Sequence, residues 1–182
     1  MFMNRFIFFI TRHSQIFVSV MAVVVLASGF IGMPFWDEDE PRFAAIAQTM
    51  VETGNWTVPI FNGDLAVDKP VLMHWCMAAC FSIFGTNELA ARLPAAIAAL
   101  LTSLALLRFG TRCFNPSTGI VAALAYLGCL LVAIESHAAT PDSILTALAT
   151  WATLLLVEPF LPDRQETEGN KESAANLIAK SS

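Results

Sequence analysis

The sequence predicts an all-α integral membrane protein with about four transmembrane helices and two interfacial helices in the first outer loop. Three observations carry that expectation. Of 182 residues, 56% are hydrophobic and only 14% charged, with a mean hydropathy of +0.63; soluble domains average about 25% charged residues. Ser14 to Trp36 holds no charged residue, a run long enough to cross a bilayer. The acids then crowd together: eight carboxylates lie between Asp37 and Glu88, against three cations between Asp37 and Arg92. The formal net charge is −5, and no basic face of the kind that grips nucleic acid is present.

Met1 to His13 carries Arg5, Arg12 and His13 and no acid. The following apolar run fits either an uncleaved helix or a signal peptide with Ala27-Ser28-Gly29 as its cleavage sequence. The uncleaved helix is favoured, because the run continues through Phe30, Ile31 and Phe35. Asp39 or Glu40 begins the next helix, with Pro41 in its first turn. Phe43, Ile46, Ala47 and Met50 recur at helical spacing and make one apolar stripe. Gly54 suits the stop. A short, one-sided helix flanked by acids is expected to lie along the membrane surface. Trp56 to Phe61 reads as extended and Asn62-Gly63 as a turn.

Val71 to Phe84 fits a short transmembrane helix or a second interfacial one, with Trp75 at headgroup level; the interfacial helix is favoured by the charge rule below. Leu93 to Leu107 is apolar, and Arg92 and Arg108 at its ends are expected to snorkel. Asn115-Pro116-Ser117 starts another helix, and Thr118 to Ile134 is the next span. Glu135 to Asp142 is a polar hinge, and Ser143 to Val157 the last span. The tail from residue 159 to 182 is polar and expected to be disordered. The four cysteines show no disulfide or metal spacing and read as buried free thiols.

Basic loops set the orientation. Arg5 and Arg12 place residues 1–14 in the cytoplasm, and Arg108 and Arg112 belong there too. Two crossings must therefore separate them, so 71–84 does not span. The spans become about 15–35, 90–108, 117–135 and 141–158. Asp39, Asp68, Lys69 and Asp142 then share one outer face, with the first outer loop covering 36–90.

Polar groups beside hydrocarbon are functional candidates by default. Asp39 fits a general base, since desolvation raises a carboxylate's pKa; it equally fits a helix cap. Asp142, after a proline, also fits a cap. Arg42 and Lys69 fit a phosphate grip or ordinary ion pairs with nearby acids. His74 and His137 are lone histidines, weak as metal ligands.

An ordered series of short motifs sharpens these alternatives: Asp39-Glu40-Pro41-Arg42-Phe43, Gly54-Asn55-Trp56, Asn62-Gly63, Asp68-Lys69-Pro70, Phe84-Gly85, Glu88, Ala91-Arg92-Leu93-Pro94 and Thr140-Pro141-Asp142. In order and spacing it resembles the N-terminal part of the GT-C type polyprenyl-phosphate-sugar glycosyltransferases. That group includes the dolichyl-phosphate-mannose–protein mannosyltransferases and the lipid A aminoarabinose transferases. The resemblance implies an inverting transfer on the outer face of a cell membrane, a bacterial inner membrane in the expected case. The donor would be a polyprenyl-phosphate-linked sugar, and the acceptor a lipid, glycan or protein.

By the same resemblance, Asp39 matches the first-loop catalytic Asp, the base, and Asp142 a second acidic catalytic position in a later outer loop. Lys69 contacts the donor phosphate, and the residue reading adds Arg42 to that grip. Asp68 stands where a Glu-Lys-Pro motif contacts phosphate or a divalent metal, with Asp in place of the commoner Glu. Members of the group carry many more helices, so the resemblance implies a fragment, a truncated gene product, or a chain whose partners, alongside membrane lipids, are the remaining helices encoded separately. A non-catalytic or degenerate membrane protein, or an assembly subunit, is the rival expectation. A transporter would need paired discontinuous helices, and the sequence shows no sign of them.

Overall fold

The computed structural model describes residues 14–28, 35, 39–67 and 69–161. The uncharged run begins there as helix α1, Ser14–Ser28. The basic N-terminal residues, the end of the first expected span with Gly29 of the cleavage sequence, Asp68 and the tail beyond 161 lie outside the described residues.

Helix α2, Asp39–Thr53, carries the expected stripe: Phe43, Ile46, Ala47 and Met50 are all buried. The helix ends at Gly54, whose φ of +69° lies in the left-handed region that glycine tolerates. The stripe is covered by protein. It packs into one apolar cluster with Met73, Met77, Ala78 and Phe81 of helix α3, Leu72–Phe84. Thirteen residues of α3 reach about 20 Å, short of the roughly 30 Å hydrocarbon core.

A small hairpin joins α2 to α3. Strand β1, Ile60–Phe61, pairs antiparallel with β2, Asp64–Leu65. Asn62 and Gly63 both take positive φ, 53° and 91°, the geometry that an Asn-Gly hairpin turn favours. The indole Nε1 of Trp75 donates to the Trp56 carbonyl at 2.6 Å and fixes the loop onto α3.

Helix α4, Glu88–Cys113, is the central element and runs 26 residues, about 39 Å. The Asn87 side chain caps it by accepting from the Ala90 N–H at 2.8 Å. Helix α5, Pro116–Leu127, starts the same way, with Asn115 accepting from the Thr118 N–H at 2.8 Å and Pro116 at the first position. The two helices pack backbone to backbone. A Cβ added to Gly110 would lie 2.7 Å from the Gly119 Cα, and one on Gly119 2.5 Å from the Leu107 carbonyl oxygen. Small residues permit that approach.

The expected span at 117–135 is broken. Helix α5 stops at Leu127, Cys129 turns extended, and helix α6, Leu130–Ser136, leaves at 64°. Gly128 has no Cβ to favour the helix, and it was the only break signal in an apolar run. One broken helix is thus present among the described residues, whereas the transporter reading needs a matched pair. Helix α7, Asp142–Val157, closes the bundle and ends in a 3-10 turn, Glu158–Phe160.

Among the described residues, α4 and the stretch Asp142–Phe160 are long and apolar enough to cross a membrane, and the α5–α6 pair makes a third as one broken span. Helix α1 lies against α4 and α5, in the place of the first expected span. The cysteines are free but not buried as expected: Cys76, Cys80 and Cys113 are half-buried, and Cys129 is exposed.

Candidate functional site at the Asp39 end of the bundle

Asp39 and Glu40 occupy the first turn of α2, where carboxylates suit the positive end of the helix dipole. They part ways there. Asp39 is half-buried, and Glu40 is fully buried. Glu40 meets Arg92, which is 2% exposed, in a two-pronged contact: Nε to Oε1 at 3.0 Å and Nη2 to Oε2 at 3.1 Å. The Ala139 N–H donates to the same Oε1 at 2.7 Å. The Arg92 guanidinium also faces the Phe35 ring at 5.4 Å.

Arg92 therefore does not snorkel as expected. It lies under α2, where a buried charge is tolerable only when paired and well hydrogen-bonded. Sequence reasoning named both residues but did not pair them. The available signal was an arginine inside the apolar α4, with an acid to spare in the Asp39-Glu40 pair.

Asp142 is the first residue of α7 and is exposed. It is not a cap: Pro141 holds that position, and no side chain caps the helix. Asp142 lines a cavity of about 370 Å³ between the broken helix and α7, with Tyr126, Leu131, Glu135, Ser143 and Thr146. Glu135 accepts from the Thr140 hydroxyl at 2.8 Å, which ties down the loop before Asp142.

Asp39 heads α2, and no described residue hydrogen-bonds its carboxylate. The Glu40–Ala139 contact brings the start of α2 to the loop that precedes Asp142. The two candidate carboxylates thus sit at one end of the bundle. Arg42 is half-buried, with its guanidinium 5.7 Å from the Phe61 ring on the hairpin. Lys69 is exposed, just after the hairpin. Ala66 anchors that stretch by donating to the Pro59 carbonyl at 3.0 Å and packing in the α2–α3 cluster.

Among the described residues, no three of His, Cys, Asp and Glu group to hold a metal; Asp68, the expected metal contact, lies outside them. His74 is buried edge-on to Phe43, with ring centroids 5.5 Å apart, and is a core residue of the α2–α3 contact. His137 caps α6 and bonds back to the Ala133 carbonyl. On α3, burial pushes the Cys76 thiol pKa up; burial and then the neighbouring Cys76 do the same to Cys80.

Comparison with known proteins gives a consistent picture. The family of dolichyl-phosphate-mannose-protein mannosyltransferases matches residues 68–166, a stretch that includes Lys69, Arg92 and Asp142. An undecaprenyl phosphate-alpha-4-amino-4-deoxy-L-arabinose arabinosyl transferase of Aeromonas hydrophila is 29% identical over 140 residues, covering 76% of this chain and 25% of that protein. The enzyme of the same name from Yersinia enterocolitica is 32% identical, covering 79% of this chain and 26% of its own length. The crystal structure of ArnT from Cupriavidus metallidurans bound to undecaprenyl phosphate superposes with a TM-score of 0.70 at 24% identity, over 74% of this chain and 25% of that one. The chain thus spans about a quarter of the length of the relatives it matches, and it shares the fold of that part of a membrane enzyme.

Proposed function

The chain belongs to the dolichyl-phosphate-mannose-protein mannosyltransferase family, and on that premise we propose that it carries the donor-side chemistry of a membrane glycosyltransferase. A sugar leaves a polyprenyl phosphate and joins an acceptor hydroxyl at the Asp39 end of the bundle. The single observation that supports this reading is the Glu40–Ala139 contact, which ties the start of α2 to the loop that precedes Asp142.

In the proposed step Asp39 accepts the acceptor's proton. The acceptor oxygen bonds to the anomeric carbon on the face opposite the phosphate, so the configuration inverts. The bond from that carbon to the phosphate oxygen breaks, and its electron pair leaves with the lipid phosphate. Lys69 and Arg42 balance the charge that grows there; Arg offers a planar fork and Lys a mobile point charge. Asp142, lining the cavity, orients the acceptor or sugar hydroxyls as a second carboxylate. By its similarity to the arabinosyl transferases, the chain's lipid carrier is undecaprenyl phosphate and its sugar an amino sugar. The acidic end lies on the outer face of a bacterial inner membrane, and the end bearing Arg108 and Arg112 lies in the cytoplasm.

The test is transfer of labelled sugar from undecaprenyl phosphate-4-amino-4-deoxy-L-arabinose in membranes of cells with and without the intact gene. Transfer that depends on the gene and drops with Lys69→Ala, through weaker binding of the donor, is the expected result. Equal transfer in both membranes contradicts the reading and leaves the non-catalytic alternative.

A further inference from the structure

We infer that Glu40 and Arg92 form a positioning clasp for the transfer site, setting Asp39 against the Asp142 loop without touching substrate themselves. This rests on the function proposed above for the two aspartates.

Helix α2 is held at its middle by Phe43, Ile46, Ala47 and Met50 against α3. That apolar contact fixes where the helix lies, and it supports Arg42 and the hairpin. The tip of α2, where Asp39 stands, precedes all four residues of the stripe. In the loop from His137 to Pro141, Ala138, Ala139 and Thr140 are buried and Ala139 joins the same apolar cluster, but these small side chains leave the direction of the loop to its hydrogen bonds. One carboxylate serves both segments. Glu40 Oε1 accepts from Arg92 Nε at 3.0 Å and from the Ala139 N–H at 2.7 Å, and Oε2 accepts from Arg92 Nη2 at 3.1 Å. Arg92 belongs to the central helix, near its capped start. The clasp therefore registers the residue adjoining Asp39, and a residue three before Asp142, to one rigid helix.

A contact made only for stability has cheaper solutions. Replacing a buried ion pair by apolar side chains of similar volume is often neutral or stabilising. Apolar side chains cannot, however, accept the Ala139 N–H or fix its direction. That difference separates a positioning role from a folding role. The donor phosphate grip of Arg42 and Lys69 depends on the α2–α3 cluster and the hairpin, and stays intact when the clasp is removed.

The test uses the full chain in nanodiscs and in membranes, with Glu40→Met and Arg92→Leu combined. In a background with the four native cysteines changed to alanine, spin labels at Asp39→Cys and Asp142→Cys report the separation of the two segments. The clasp predicts a narrow distance distribution with the pair present and a broad one in the double variant. It further predicts that, with Asp39 and Asp142 intact, the double variant binds undecaprenyl phosphate as the parent does. Its transfer rate should fall by about 10²-fold, the scale of an ångström-sized misplacement. Glu40→Asp keeps the charge but shortens the reach by one methylene, so it should fold normally and also lose turnover rather than donor affinity.

An equally narrow distribution in the double variant, or transfer at the parental rate, overturns the inference. So does parallel loss of folding and donor binding in both the double variant and Glu40→Asp, which assigns the pair to stability alone. The distance measurement needs no transfer. Broadening in the double variant, with no gene-dependent transfer in parental membranes, would leave the clasp standing and remove the proposed function.

Discussion

The two ends of α4 carry arginine–carboxylate contacts of opposite character. At one end Arg92 and Glu40 are 2% and 0% exposed. At the other, Glu158 meets Arg112 and, at 3.7 Å, Arg108, with the arginines 41% and 66% exposed. Twenty residues separate Arg92 from Arg112, about 30 Å of helix. Exposed pairs are solvated in either state and contribute little. A buried pair has surrendered its water, so each partner depends on the other. The basic end is joined by groups that water could replace, and the acidic end by groups it cannot. The proposed chemistry is at the acidic end, where fixed geometry matters.

The sharpest way to break the comparison is to remove one partner at each end. Arg92→Met should cost about 3–5 kcal/mol, because it leaves the Glu40 carboxylate buried without its guanidinium partner. Denaturation of the purified chain in SDS measures this directly. The firm packing of the basic end comes instead from the Gly110–Gly119 approach. Gly119→Ala should cost about 1–3 kcal/mol, since the added methyl meets the Leu107 carbonyl and the Thr111 backbone nitrogen. Glu158→Gln should change stability by less than about 1 kcal/mol, and raised salt should shrink even that. Equal losses for Arg92→Met and Glu158→Gln would dissolve the distinction. Thiol labelling assigns the ends to sides: Cys113, near Arg112, should resist an impermeant reagent in intact cells, and Asn62→Cys should react.

Local signals in the sequence were easy to read. The stripe Phe43-Ile46-Ala47-Met50, the Asn62-Gly63 turn, the Asn115-Pro116 helix start and the glycine stop at Gly54 are each decided by a few neighbouring residues. Relations between distant residues were not legible. Arg92 at the edge of an apolar run fits a snorkelling residue equally well, because nothing in its neighbours reveals that α2 will cover it. Its partner Glu40 is 52 residues away. Glu40 was overshadowed by Asp39, since both fit the start of a helix and only tertiary packing separates them. The break at Gly128 was hidden because a lone glycine in an apolar run is usually accommodated by the helix. Asp39, Arg42, Lys69 and Asp142 were singled out from neighbouring residues and the ordered motifs, and the fold sets Asp39 and Asp142 at one end of the bundle.

The central claim is that Asp39 does chemistry rather than architecture. Asp39→Asn keeps the size and polarity of the side chain and suits a helix start equally well, but Asn cannot accept the proton. Assayed in membranes with the undecaprenyl-phosphate-linked donor, this variant should fold and bind donor like the parent. Its transfer should fall by about 10²- to 10⁴-fold, the usual contribution of a general base. Transfer at nearly the parental rate would contradict the account and make Asp142 the next candidate base.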